Sequence, residues 1–360
     1  MVVGSRSSFG HCGGAARLAG AGGPMRRILL APLLFLLLAP LPGSQLDKPP
    51  PDLSQHVIAV PVDGVRAGDQ IGALTLAEAW DLTSAHHKFG GLSGIALTGD
   101  RAFLMVSDIG YRLRFTLSAA GDVSGSSYAN LPPPRPGYSG KLHYDAEAVA
   151  HDPATGRYWT AMEGTGEVWS FAGDDRRILR TRQRVLESWP DNGGVEAFAR
   201  LHGDRFIALS ESRTALGQRE GVLFAGDPSD PKTPITRFFY ETGGQGDVTE
   251  VAALPDGRII ILHRRLGLLP VFRTSIAIAD PRQIKAGQTL ISRPIAVIRD
   301  RLLSENYEGA SVTIGPDGLS LWLVSDDNLQ DWQTVRLVRF IIDPAALDPA
   351  KRAAPSPDRP

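Results

Sequence analysis

Cysteine is nearly absent from the 360 residues: the single one is Cys12. A disulfide framework, a thiolate metal site and a thiol nucleophile further along the chain are thereby excluded. The sequence also lacks a G-x-S-x-G nucleophile elbow, an H-E-x-x-H helix, a G-x-x-x-x-G-K-[ST] phosphate loop and an R-H-G phosphatase signature. Covalent catalysis through serine and the common zinc and nucleotide chemistries have no support. Long helical periods are scarce. After the first 44 residues no apolar run approaches membrane-spanning length.

Glycine (39) and proline (27) are abundant, as a chain of many short strands and tight turns requires. Residues 25–44 combine the basic Met25–Arg26–Arg27 with an apolar run over 28–39 and small residues beyond it. This reads as a signal peptide cut between Gly43 and Gln45, and residues 1–24 read as a start codon placed too far upstream. Export to the periplasm or the medium is expected. Removing 1–44 takes away four arginines and no acid, so the net charge moves from −1 to −5, which disfavours nucleic acid as a partner. Residues 45–56 are a proline-rich linker, 57–343 the folded domain, and 344–360 a frayed tail.

One phrase recurs five times. An acidic start leads into a short apolar run, a turn, and a second strand that ends on another polar residue. Asp145-Ala-Glu147 runs through His151-Asp-Pro into Tyr158-Trp-Thr-Ala-Met-Glu163, and the other copies begin at Gly91, Val195, Asp247 and Tyr307. The positions Ser93, Glu147, Glu196, Glu250 and Glu308 stand 54, 49, 54 and 58 residues apart. A period near 50 residues predicts a propeller blade per repeat, hence an all-β propeller of four-stranded blades. The last repeat has room for three strands only, so a strand at 72–80 is expected to complete it and close the ring. Strand-like residues 57–62 and the long connections 117–143 and 274–304 leave room for a sixth blade beside the five visible ones.

In a propeller the innermost strand faces the central channel, so Glu147, Glu196, Glu250 and Glu308 are expected to converge there, with Asp145 beside them. Such carboxylates need protons, arginines or a hard cation between them. Oxygen-only ligands suit Ca2+. Alternatively each acid caps backbone amides at the start of its blade, and the residues alone leave both readings open. A second ring follows the second strands: Asp108, Glu163, Glu211, His263 and the Ser325-Asp326-Asp327-Asn328 cluster, whose Asp326 and Asp327 are candidate cation ligands or the acceptors of a plain Asx-turn. Arg112, Arg114, Lys141, His143, Arg213, Arg264 and Arg265 lie beside these acids; Arg213 and Arg264 are candidates to hold an anionic substrate. His263 is the candidate general acid or base, because it titrates near neutrality and stands where other repeats carry an acid. His56, His86 and His87 have no such frame.

Gly90-Gly-Leu-Ser-Gly94, Asp145-x-Glu147, Asn192-Gly-Gly-x-Glu196, Pro255-Asp-Gly257-Arg, Tyr307-Glu-Gly309 and Ser325-Asp-Asp-Asn328 together resemble the phytase-like family, "esterase-like activity of phytase", in the same order from Gly90 to Ile342. The resemblance implies a secreted bacterial β-propeller linked by name to hydrolysis of phosphate esters or related esters. Ser93 and His263 depart from an all-acid ring. The expected protein is a monomer acting on a small phosphate ester or ester with Ca2+; a lactonase or sugar-ester hydrolase and a non-enzymic binding or scaffold propeller are the alternatives.

Overall fold

A computed structural model describes residues 51–132, 144–190, 193–345 and 347–348. Residues 25–44, expected as a signal peptide, together with Cys12, Lys141, His143, Asn192 and most of the stretch 344–360, lie outside the described residues.

Each repeat begins with a hairpin whose turn carries a residue in the left-handed region: Arg101 (φ 53°), Gly156 (72°), Asp204 (56°), Gly257 (89°) and Gly318 (101°). Glycine or aspartate, which tolerate that conformation, fill it at four of the five turns; in the first it falls on Arg101, the residue after Gly99-Asp100. From each hairpin the chain steps outward through antiparallel strands. The N-terminal strands are β1 (Ile58–Pro61), β2 (Gln70–Ile71) and β3 (Leu74–Thr83). Blade one is β4 (Leu92–Gly99), β5 (Ala102–Ser107), β6 (Tyr111–Leu117) and β7 (Val123–Asn130). Blade two is β8 (Ala146–His151), β9 (Tyr158–Met162), β10 (Glu167–Phe171) and β11 (Arg177–Arg182), followed by a one-turn helix, Arg184–Glu187. Blade three is β12 (Val195–Arg200), β13 (Phe206–Arg213), β14 (Arg219–Phe224) and β15 (Ile235–Glu241). Blade four is β16 (Asp247–Ala253), β17 (Ile259–Leu266), β18 (Phe272–Ala279) and β20 (Arg293–Ile298), while β19 (Thr289–Ile291) adds to β15 of blade three in parallel. Blade five is β21 (Tyr307–Gly315), β22 (Gly318–Ser325) and β23 (Arg336–Ile342), completed by β3 pairing antiparallel with β23.

The ring therefore has five blades and closes through β3, as the short last repeat demands. No sixth blade is present among the described residues. Within residues 57–62 lies β1, which adds a fifth strand to the closing blade. The connections 117–143 and 274–304 hold fourth strands (β7, β20) and the extra β19. β11 ends at Arg182, and the chain turns there into the one-turn helix.

Five apolar clusters fill the five junctions between neighbouring blades. Leu104, Tyr158 and Trp169 join blades one and two; Trp159, Phe198 and Phe206 join two and three; Leu209, Tyr240 and Ile261 join three and four. Ile260, Leu323 and Phe340 join four and five, and Trp322, Phe103 and Leu92 close five onto one. Burial on both faces of each sheet, rather than strict alternation, is what such a ring needs.

The inner strands β4, β8, β12, β16 and β21 neighbour one another around the axis. Small residues let them approach: a Cβ on Gly94 would stand 2.8 Å from Val149 N, and one on Gly309 2.6 Å from Val324 Cγ1.

Candidate functional site

A β-bulge recurs at the same place in every inner strand. The register slips between Leu92 and Gly94, Ala146 and Ala148, Val195 and Ala197, Val248 and Glu250, and Tyr307 and Gly309. The residues left over are Ser93, Glu147, Glu196, Thr249 and Glu308. A bulge turns one extra side chain out of the ladder, here at one mouth of the channel. Blade four thus stands one residue out of the expected register: Thr249 holds the ring position, and Glu250 aligns with Gly94, Ala148, Ala197 and Gly309. Glu250 is buried, and its Oε1 accepts from Phe198 N (3.1 Å) and Val251 N (2.7 Å). Burial pushes its carboxyl well above the ordinary range. The structure does not bring Glu250 together with the other acids; it joins β16 to β12.

The same offset holds at the ends of the second strands. His263 pairs with Val248 as Ser107 pairs with Leu92, Ser210 with Val195 and Ser325 with Tyr307. The residue aligned with Asp108, Glu163, Glu211 and Asp326 is therefore Arg264. His263 is fully buried, its Nε2 hydrogen-bonded to Tyr240 Oη at 2.7 Å, and burial depresses its pKa to about 4. A neutral imidazole held inside the blade is a packing group, and the structure does not place it at the channel mouth with the acids.

Among the described residues nine carboxylates and the Arg264 guanidinium share that mouth. Glu147 feels the charges of Glu196, Asp145 and Glu308; Glu196 those of Glu211, Glu163 and Glu308; Asp326 those of Glu308, Asp108 and Asp327. Desolvation first and these neighbours second raise Glu147 and Glu196 well above the carboxylate range, and Asp326 is pushed up to about 9. Glu211 and Glu308 are also raised by burial, against the opposing pull of Arg264. Arg264 donates to Glu211 Oε1 (2.9 Å), Asn306 Oδ1 (2.8 Å) and Glu308 Oε1.

Part of the ring is capping, as the blander expectation held. Glu163 Oε1 accepts from the Gly193 and Gly194 amides, the latter at 3.0 Å, and Asp327 Oδ1 accepts from Gly91 N at 2.8 Å. In each case the end of one blade's second strand ties down the start of a neighbouring blade. Asp326 Oδ1 accepts from Asn328 N at 2.8 Å. Glu147 and Glu196 do no such work: no described backbone amide contributes to holding either of them.

Asp145, Glu147 and Glu163 each offer an oxygen within 4.8 Å of the other two. Oxygens bound to one Ca2+ at about 2.3–2.6 Å can lie up to roughly 5 Å apart, so this all-oxygen set fits such an ion. Beside the mouth a groove of about 490 Å³ runs between the loops of blades three and four, past Arg213, Gln218, Asp247, Arg264 and Arg265. Arg213, which the sequence singled out, is exposed and pairs with Asp247 Oδ1 at 2.9 Å. The buried Arg219, which sequence reasoning missed, shares the same oxygen at 2.5 Å. The far end of the channel is a separate cavity of about 770 Å³ walled by Ile95, Val149, Phe198, Val251 and Val312, and the acid ring does not line it.

Comparison with solved structures gives likenesses of low identity. A nidogen/laminin complex chain matches at 9% identity and TM-score 0.41, covering 78% of this chain and 95% of that one. The holo PQQ domain of pyranose dehydrogenase from Coprinopsis cinerea matches at 10% and 0.41, covering 80% and 96%. The Cps50 (Swd1) β-propeller domain from Myceliophteria thermophila matches at 10% and 0.37, covering 75% and 80%. No curated protein matches the chain. The profile of the phytase-like family, described as esterase-like activity of phytase, matches residues 87–329, and the chain belongs to that family.

Proposed function

We propose that the chain is an exported hydrolase of phosphate esters or related small esters, with Ca2+ held by Asp145, Glu147 and Glu163 and completed from Glu196. The observation that carries this reading is the crowding of acid at the channel mouth: Asp145, Glu147 and Glu163 bring one oxygen each within 4.8 Å of the other two, and no described backbone amide caps Glu147 or Glu196. Such an excess of buried acid persists when a cation or protons neutralise it. The chemistry a bound Ca2+ supplies is polarisation of an ester oxygen and acidification of a water.

The chain's own groups do the rest. Arg264, fixed between Glu211 and Glu308, offers its guanidinium edge to an anionic oxygen at the mouth. Glu196 stands beside the set of Asp145, Glu147 and Glu163, and burial together with the neighbouring acids raises its proton affinity when no cation is bound. The groove past Arg213 and Arg265 receives the body of an anionic substrate. Chromogenic phosphate, acetate and lactone substrates, each assayed with Ca2+ and with EDTA, test the reading. Turnover of a phosphate ester or acetate that EDTA abolishes supports it; turnover confined to the lactone redirects the substrate class, and none at all with Ca2+ bound leaves a binding propeller. Export is checked by mass spectrometry, with a mature N-terminus near residue 45 expected and one at residue 1 or 25 contradicting it.

A further inference from the structure

The loops that surround the acidic mouth are capped by large apolar side chains in water. In the β17–β18 turn Leu268 is 94% exposed and Leu269 69%. In the β22–β23 loop Trp332 is 64% exposed, the one tryptophan of six that is not buried, and its ring stacks parallel to Phe272 at 6.2 Å. That stack joins the two loops into one patch. Leu216, 86% exposed in the β13–β14 loop, stands on the same end of the propeller. Clustered apolar tips of this kind mark an interaction surface, whereas single exposed leucines do not.

Charge at the base of the patch says what covers it. Arg265 and Arg273 lie directly opposite each other across the β17–β18 ladder, just below the Leu268–Leu269 tip. Both are exposed, and among the described residues no carboxylate pairs with either. Like charges facing across a ladder repel, and an anion lying across both removes that cost. Apolar tips with a tryptophan above a pair of arginines match the depth profile of a bilayer surface, with acyl chains beyond and lipid phosphates at the level of the cations.

We infer that this face docks on a phospholipid surface, inserting Leu268, Leu269 and Trp332 and setting Arg265 and Arg273 against lipid phosphates. Docking presents the channel mouth to the membrane. The acids there are recessed: Asp145, Glu147, Glu163 and Asp326 are buried below the loop tips that would meet the surface.

The test uses the full mature chain with vesicles of phosphatidylcholine, with and without phosphatidylglycerol. The expected result is a blue shift of tryptophan emission and protection from acrylamide, both lost in Trp332→Phe while that variant still floats with the vesicles. Leu268→Asp should weaken flotation by about tenfold or more, since burying a leucine contributes on that scale. Arg265→Gln should weaken it on phosphatidylglycerol vesicles only. All three positions are exposed, and thermal melts matching the parent confirm that the variants fold. Absence of flotation overturns the inference, as does flotation that Leu268→Asp leaves unchanged. An emission shift that tracks protein concentration without vesicles also overturns it, because a second copy then covers the patch.

Discussion

Replacing His263 by glutamine separates a buried packing group from a catalytic one, because the two roles predict opposite pH behaviour. In the native protein burial holds the imidazole near a pKa of about 4, against an ordinary value of 6.5. Arg219 lowers it further, while the Ser275 backbone and Asp247 act in the other direction. Between these two pKa values the unfolded chain binds a proton that the native state refuses. The stabilisation is complete above pH 6.5 and is lost as pH falls towards 4. At about 1.4 kcal/mol per unit, the ceiling on that loss is about 3 kcal/mol. Near pH 7 His263→Gln weakens the Tyr240 and Ser292 hydrogen-bond network, at a cost of about 1–2 kcal/mol. As the acid-linked loss is absent from the variant, the gap should close on acidification and invert near pH 4. The acid ring titrates in the opposite sense: its raised carboxylates stabilise at low pH and lose that contribution as pH rises, equally in both proteins, so it cancels in the difference. Urea unfolding of both proteins from about pH 4 to 7 reads this directly. A constant gap across that range would refute the argument, and a variant that folds normally but loses turnover would return His263 to the catalytic set.

Glu250→Gln keeps an acceptor for Phe198 N and Val251 N and should change stability by about 1 kcal/mol or less, whereas Glu250→Ala strands both amides and should cost about 1–3 kcal/mol, as judged from urea midpoints. Arg264→Met leaves Glu211 and Glu308 without their counter-charge; a loss of about 3 kcal/mol near pH 7 without metal is expected, shrinking at low pH as those raised carboxylates take up protons. A pH-independent loss in the denaturation series would contradict that assignment. Starting the chain at Asp81 deletes most of β3 and reopens the ring, so no cooperative melt should survive; a melt like the parent's would disprove closure through that strand.

The repeat made the blades legible because each hairpin needs the same turn chemistry and the same apolar run. Closure by β3 followed from counting strands in the last repeat. The offset in blade four was hidden because a bulge adds one residue to a strand without disturbing its apolar character. Aligning Glu250 with the other glutamates matched chemistry rather than register. The second strands carried the correction: Phe103-Leu-Met-Val-Ser-Asp108 and Phe206-Ile-Ala-Leu-Ser-Glu211 lay over Ile259-Ile-Ile-Leu-His-Arg264, placing His263 on serines and Arg264 on acids. Arg219 was not legible, since a lone arginine at the start of an outer strand looks like any solvated charge until Asp247 is placed beside it.

The central claim is that the acids at the channel mouth form a cation site and not merely a set of caps. A thermal melt of the parent in EDTA and in millimolar Ca2+, repeated on Glu147→Gln and Glu196→Gln, tests it most directly. If the ring is a site, Ca2+ at 100 times its Kd stabilises the parent by about 2.7 kcal/mol, and both variants lose most of that increment while melting higher than the parent in EDTA, because each has shed a buried charge. Identical parent curves in EDTA and Ca2+ would contradict the claim.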